Sequence, residues 1–176
     1  MDMLSAILHR RSIRQYTIDP VSEENLKKIM YAGLASASSK NRKSWEFILV
    51  QKRDTLDKLS ACRPGAANLL EGCSAAIVVV GDTKLTDVWV EDCASAITQM
   101  HLMADSLGIG SCWLQIRLRK AMDGVTDSQD VIREILEIPA RFGVMAILVL
   151  GTPAAHPGER DISDLSCEKI HYEQFR

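Results

Sequence analysis

No apolar run in this 176-residue chain approaches the roughly 20 residues that a membrane-crossing helix needs. A secretory leader is not expected either. Met1 to His9 is short and carries Asp2, and the basic pair Arg10-Arg11 follows the apolar part instead of leading it. The five cysteines, Cys62, Cys73, Cys93, Cys112 and Cys167, show neither a C-x-x-C nor a metal-ligand spacing, so no metal site is expected. An excess of positive charge is also absent. Lys and Arg number 21 against 23 Asp and Glu, for a net charge of −2, which argues against a nucleic-acid partner. There is no P-loop, dinucleotide fingerprint, paired-carboxylate motif, internal repeat or low-complexity segment. These absences point to a cytoplasmic chain with free thiols and no membrane partner.

What is present is an ordinary globular balance, 47% apolar and 25% charged, in a chain long enough for one core. It reads as a single domain over 1–176, with 153–176 as a C-terminal arm.

Periodicity and breakers divide the chain into elements. Met3 to His9 reads as a short helix and Ser12 to Tyr16 as extended. Ser22 caps a helix that carries Leu26, Ile29, Met30, Gly33 and Leu34 on one face. A loop, Ala35 to Ser44, leads to a strand at Trp45–Gln51. A short helix at Thr55–Ala61 is broken by Pro64-Gly65, and Ala66–Glu71 is another helical turn. Ala75–Val80 reads as a buried strand. The longest helix is expected over Asp87–Leu107, with a buried stripe of Val90, Ala94, Ile97, Met100, Ala104 and Leu107 and a stop at Gly108. Strands follow at Gly110–Gln115 and Val144–Leu150, around a helix at Ser128–Leu136. Strands separated by helices imply an α+β or α/β sandwich. The tail after Gly151 is polar and then carries Ile170, Tyr172 and Phe175, so it can wrap its own subunit or a partner.

Two segments carry most of the chemistry. Arg10-Arg11-Ser12-Ile13-Arg14 crowds three guanidiniums and a hydroxyl into five residues. On an extended segment Arg10, Ser12 and Arg14 share a side, and such forks match phosphate oxygens. A solvated basic surface is the other reading of the same spacing. The second segment, Ser36 to Asn41, presents small side chains, hydroxyls and an amide, either to a ligand or as a plain helix-to-strand loop. Leu107-Gly108-Ile109-Gly110-Ser111 follows a helix, so it is a helix cap and not a dinucleotide loop. Cys112 reads as inert packing ahead of a nucleophile, and His101 as structural ahead of a ligand.

In order along the chain, Arg10–Arg14, Ala35–Trp45, Val90–Ala96, Leu107–Trp113 and Leu148–Pro153 resemble the nitroreductase family. That resemblance implies an α+β three-layer sandwich, with a central mixed β-sheet flanked by helices and a C-terminal extension around the partner subunit. It implies a homodimer with FMN at the interface, NADH or NADPH as reductant, and a small-molecule electron acceptor such as a nitroaromatic or quinone, in a ping-pong cycle. Flavin would do the chemistry, so no catalytic side chain is expected. By the resemblance, Arg10, Arg11 and Ser12 serve the phosphate, and Arg14 the pyrimidine edge. Ala37, Ser38, Ser39 and Asn41 form the loop supplied across the interface, and Asn68 an amide toward the ring. Trp113, Leu114 and Gln115 line the isoalloxazine, and Arg160 is a second phosphate-side arginine. Specialised flavin chemistry, or a flavin-sensing module, are the alternatives on the same fold.

The chain departs from the family's pattern in places. Lys43-Ser44 stands where Gln-Pro is common before the tryptophan, and Ser36-Ala37-Ser38 replaces a small-Pro-Ser start. Glu159 and Asp161 flank Arg160 where the family often has a second basic residue. Asp82 to Val88 is too short for a large lid, which implies a small or open pocket.

Overall fold

The computed structural model describes residues 2–175. Four strands form one sheet: β1 (Trp45–Val50), β2 (Ala75–Asp82), β3 (Gly110–Gln115) and β4 (Phe142–Gly151), in the order β1-β2-β4-β3. All three pairings between them are antiparallel. The parallel component of the sheet is a single bridge, Ser12 to Ser111, made by the extended N-terminal segment.

Among the described residues six α-helices cover this sheet: α1 (Met3–His9), α2 (Glu23–Leu34), α3 (Arg53–Ser60), α4 (Ala67–Leu70), α5 (Trp89–Ser106) and α6 (Ser128–Leu136). Because side chains alternate along a strand, β2 sends Ala75, Ile77 and Val79 to one core and Ala76, Val78 and Val80 to the other. The first core is closed by α2 and α5 through Leu26, Ile29, Cys93, Ile97 and Met100. The second is closed by α3, α4 and α6 through Leu56, Leu59, Leu70 and Ile132. The result is a three-layer α+β sandwich.

Elements expected from periodicity recur with ends moved by at most two residues, because terminal turns are decided by local hydrogen bonds. Two differences matter more. β4 carries a bulge: Val79 pairs with Ala146 but Val80 with Val144, so Met145 is an extra residue. Met145 and Ala146 consequently face the same core. The freed Met145 carbonyl accepts the N–H groups of Ile116 and Arg117 and turns the chain at the end of β3. The buried stripe of α5 is also rotated from the one expected. Cys93, Ala96, Ile97, Met100 and Ala104 are buried, while Val90, Ala94 and Leu107 are only half-buried. On α2, Leu34 is exposed, beyond the reach of the core.

Glycines allow the close approaches that set the N-terminal segment. A Cβ on Gly110 would lie 2.9 Å from Ile13, and one on Gly151 2.6 Å from the Tyr16 ring. The segment therefore lies flat across the ends of β3 and β4, with the Ile13 N–H donating to the Ser111 carbonyl (2.9 Å) and Tyr16 bridging Pro153. The tail beyond Gly151 forms two short 3-10 turns, Ile162–Asp164 and Cys167–Lys169. Its apolar residues Ile170, Tyr172 and Phe175 are exposed on this chain, Phe175 at 90%. They do not anchor the arm to their own subunit. Among the described residues no helix is long and apolar enough to cross a membrane.

Candidate functional site

α1 ends against the C-terminal half of α5, and this contact delivers the arginine cluster to the start of β3. The Arg10 guanidinium donates to His101 Nε2 (2.9 Å). Arginine can only donate, so Nε2 must be the accepting nitrogen and the imidazole proton sits on Nδ1, which bonds the Ser111 hydroxyl. His101 is buried and pulled down to about 4, first by desolvation and then by the Arg10 charge. It is therefore neutral at pH 7 and can accept from a cation. His101 is structural, as its sequence setting indicates, and its task is to aim Arg10.

Positive charge is gathered here against its own repulsion. Arg160 donates to the Arg10 carbonyl (2.8 Å), and its own N–H donates to the Leu8 carbonyl (3.0 Å). Arg11 donates to the Gly158 carbonyl (2.8 Å). Burial lowers the Arg10 pKa first; Arg160 and Arg11 lower it further, while Asp105 opposes them. Arg14 is exposed, with only a long 3.4 Å bond to the Ser12 carbonyl. A groove of about 420 Å³ opens between Ile7, Arg10, Ser12, His101, Leu102 and Trp113. A second, of about 310 Å³, lies on the other side of Ser12, beside Arg14.

From Ser111 to Gln115 β3 runs about 13 Å. Trp113 lies on the α5 side of this strand and donates from Nε1 to Gln115 Oε1 (2.9 Å). Gln115 in turn donates to the Arg117 carbonyl, and its own carbonyl accepts from Arg63 (2.7 Å). The Leu114 side chain is buried in the opposite core, so only its backbone faces this groove's layer. Arg63, which secures the strand end, was not singled out from sequence; nothing local to an isolated arginine marks it.

The Ser36–Asn41 loop lies elsewhere. Asp92, buried on α5, accepts from the Ser39 N–H (2.8 Å) and from the Ser44 hydroxyl (2.8 Å). Ser36 bonds Ser95, and Ser38 accepts from the Lys43 N–H. Lys40, Asn41 and Lys43 all have positive φ, a conformation that non-glycine residues hold only when their surroundings impose it. Ala37 and Asn41 are exposed. Within one chain this loop does not meet the arginine cluster. The replacement of Gln-Pro by Lys43-Ser44 has a structural use, since a proline at 44 could not donate to Asp92. Asp92 was missed from sequence, where an acidic residue in the first turn of a helix reads as dipole compensation.

Asn68 is exposed on α4, in the layer opposite α5, and is not among the residues lining the Arg10 groove. Cys112 is buried and its thiol pKa is raised, mainly by desolvation, which is the inert state rather than the nucleophilic one.

Beside the cluster, His9 donates from Nδ1 to Asp105 (2.7 Å), and His156 Nε2 faces the same carboxylate at 3.6 Å. The two rings stack at 4.3 Å and 15°. Nearly parallel rings do not aim their lone pairs at one ion. His156 Nδ1 also accepts the Gly158 N–H, which leaves its proton on Nε2. The trio clamps the start of the tail to α1 and α5.

The N-terminal arginines, the tail arginine and a buried neutral histidine of this α+β sandwich thus meet at one strand end. The family model described as the nitroreductase family matches residues 7–63 and 63–152. The chain belongs to the nitroreductase family. Two archaeal relatives bear the provisional name NADH dehydrogenase/NAD(P)H nitroreductase. The one from Archaeoglobus fulgidus is 35% identical over 99% of both chains. The one from Methanothermobacter thermautotrophicus is 34% identical over 99% of this chain and 88% of its own length. An FMN-dependent nitroreductase from Clostridium difficile R20291 superposes with a TM-score of 0.94 at 37% identity, covering 98% of this chain and 100% of that one.

Proposed function

We propose that the chain is an FMN-dependent oxidoreductase that draws reducing equivalents from NADH or NADPH and passes them to small acceptors such as nitroaromatics or quinones. Family membership and the relatives' names support the flavin and the nicotinamide. The observation that carries the reading to this chain's own residues is the Arg10–His101–Ser111 relay beside Ser12 at the head of β3.

The residues present fit FMN. Arg10, Arg11 and Arg160 are drawn together, and the main group offsetting them, Asp105, is already bonded to His9, a charge arrangement that a phosphate would relieve. Arg10, Ser12 and Arg160 would hold that phosphate, and Trp113 and the backbone of Leu114 and Gln115 would flank the ring. When bound, FMN would supply the hydride and electron-transfer chemistry between the nicotinamide and the acceptor. Arg14, exposed beyond Ser12, would place positive charge against the ring's pyrimidine edge and favour its anionic reduced form. His101 keeps Arg10 aimed without competing for the anion, because it is neutral. Trp113 excludes water from one side.

Ala37, Ser38, Ser39 and Asn41 line neither groove beside the same chain's cluster, so the reading assigns them to a second copy's site in a homodimer with two interfacial sites. The tail, with Ile170, Tyr172 and Phe175 uncovered, would embrace that copy. Asn68 would approach the ring only from α4. Five unpaired thiols suit a reducing, cytoplasmic setting.

The test is a visible spectrum of protein reconstituted with FMN, freed of excess, then exposed anaerobically to NADH and NADPH. Stoichiometric flavin that bleaches, and recovers with a quinone or nitroaromatic, is the expected result. Bound flavin that neither nicotinamide bleaches would refute the reductase reading, and absence of bound flavin would refute the site.

A further inference from the structure

Past the end of β3 lies a groove that the flavin contacts leave unused. It encloses about 320 Å³ between Trp89, Arg117, Arg119, Asp127, Gln129 and Arg133. Trp89 forms one wall. Its ring sits where a Cβ on Gly143 or Gly81 would fall, at 2.5 Å and 2.6 Å, so both glycines are needed to seat it. The Arg117 guanidinium lies over this ring, 5.9 Å from its centroid.

The turn that carries the arginines is specifically shaped. The Met145 bulge carbonyl accepts the Arg117 N–H, and the Ile116 carbonyl accepts the Arg119 N–H (3.0 Å). Between them Leu118 has φ +61, the third position of a turn type that favours glycine. A left-handed leucine, exposed, is therefore held between two arginines that face one groove.

Neither of those arginines has a carboxylate partner among the described residues. Arg119 bonds only the neighbouring Leu118 carbonyl, and Arg117 stacks on Trp89. The acidic side chains close by are engaged. Asp127 is held by Lys120 (2.7 Å), and Asp130 by Arg133 (2.6 Å). Arg133 also spends two donors on the Phe142 carbonyl. Two guanidiniums with no ion-pair partner among the described residues, a neutral amide from Gln129 and an aromatic wall, with the one lining carboxylate, Asp127, already neutralised by Lys120, are complementary to a polyvalent oxyanion more than to a single carboxylate.

We propose that the Arg117–Arg119 groove binds a phosphate or pyrophosphate group. That group belongs either to the reduced nicotinamide nucleotide or to free inorganic phosphate. The first source rests on the proposed oxidoreductase function, because Arg117 follows Gln115 by two residues and so lies next to the strand end assigned to the flavin ring. The anion site itself does not rest on it.

The experiment is calorimetric titration of FMN-loaded protein with inorganic pyrophosphate, comparing wild type with the double variant R117Q/R119Q. Loading with flavin fills the Arg10 cluster, so that it does not compete for the probe. The expected result is binding by the wild type that weakens at least tenfold in the double variant, with an unchanged melting temperature. Should the double variant fail to fold, R119Q alone serves, since Arg119 is exposed and carries no packing. No binding by the wild type, or equal binding by wild type and variant, would overturn the proposal. KM values separate the sources. A rise for NADPH alone identifies the 2′-phosphate, a rise for both nucleotides the pyrophosphate bridge, and no rise with pyrophosphate binding still lost identifies free phosphate. A protein that oxidises neither nucleotide but still shows the arginine-dependent titration refutes the oxidoreductase reading and leaves the anion site standing.

Discussion

Helix α5 carries two buried polar residues, Asp92 and His101, and they organise two different regions. Nine residues at 3.6 per turn are two and a half turns, so the pair lies on opposite flanks of the buried stripe and about 13 Å apart along the axis. At one flank Asp92 gathers neutral donors, the Ser39 N–H and the Ser44 hydroxyl, and sets a loop with three left-handed residues. At the other flank neutral His101 accepts from Arg10, whose carbonyl in turn holds Arg160 from the tail. The difference is one of charge sign. An acidic side chain can shape a loop by itself, whereas a cationic cradle needs a buried acceptor that does not carry a competing charge. One helix thereby organises two separate polar regions of the same chain.

Four measurements test that contrast. The largest effect is expected from Asp92→Ala, which strands two donors at a buried position. A loss of about 3 kcal/mol in urea-unfolding free energy is expected, with the Arg10 side left able to bind FMN. An unchanged unfolding midpoint would remove Asp92 from its organising role.

Acidification should act at the opposite flank. The folded-state pKa of His101 is depressed to about 4 from 6.5, so the unfolded chain binds the proton first. The stabilisation is complete above pH 6.5 and is lost as pH falls toward 4, by roughly 3 kcal/mol at the limit. Urea midpoints at pH 7 and pH 4.5 read this slope, and His101→Gln should flatten it. A slope identical in the variant would show that other groups cause it.

Arg10→Ala removes the charge that His101 aims. FMN affinity is expected to fall about 30-fold, near 2 kcal/mol, with Asp92-dependent stability retained. Flavin fluorescence titration checks it, and wild-type affinity in the variant would place the phosphate elsewhere.

The smallest effect is expected at exposed Arg14. Arg14→Ala should leave the melting temperature unchanged, weaken FMN about tenfold and slow flavin reduction in stopped flow. Stoichiometric flavin with undiminished rates would reduce Arg14 to a solvated surface charge.

Much of this architecture is legible in local pattern. Ala75 to Val80 is β-branched and unbroken because both of its faces meet helices. Gly108, at φ +71, ends α5 where its position after Leu107 indicates. The arginines of 10–14 stand out because their chemistry is local to five residues. The Met145 bulge was not legible, since one extra residue in an apolar strand leaves the apolar pattern unbroken. Nor was the polarity of the α5 flanks. Asp92 and His101 read as ordinary residues beside a stripe, and their partners Ser39, Ser44, Arg10 and Ser111 lie between 10 and 91 residues away in the chain.

By itself, then, the sequence determined the elements, the layers and the identity of the cationic segment, because periodicity, glycine stops and residue chemistry act within a few positions. Only the tertiary structure decided which residues are buried at the edges of α5, that His101 is the neutral acceptor for Arg10, that the Ser36–Asn41 loop stands apart from the arginines of its own chain, and that Arg117 and Arg119 share a groove with Trp89. Those outcomes depend on desolvation and on contacts between distant segments, which no local pattern encodes.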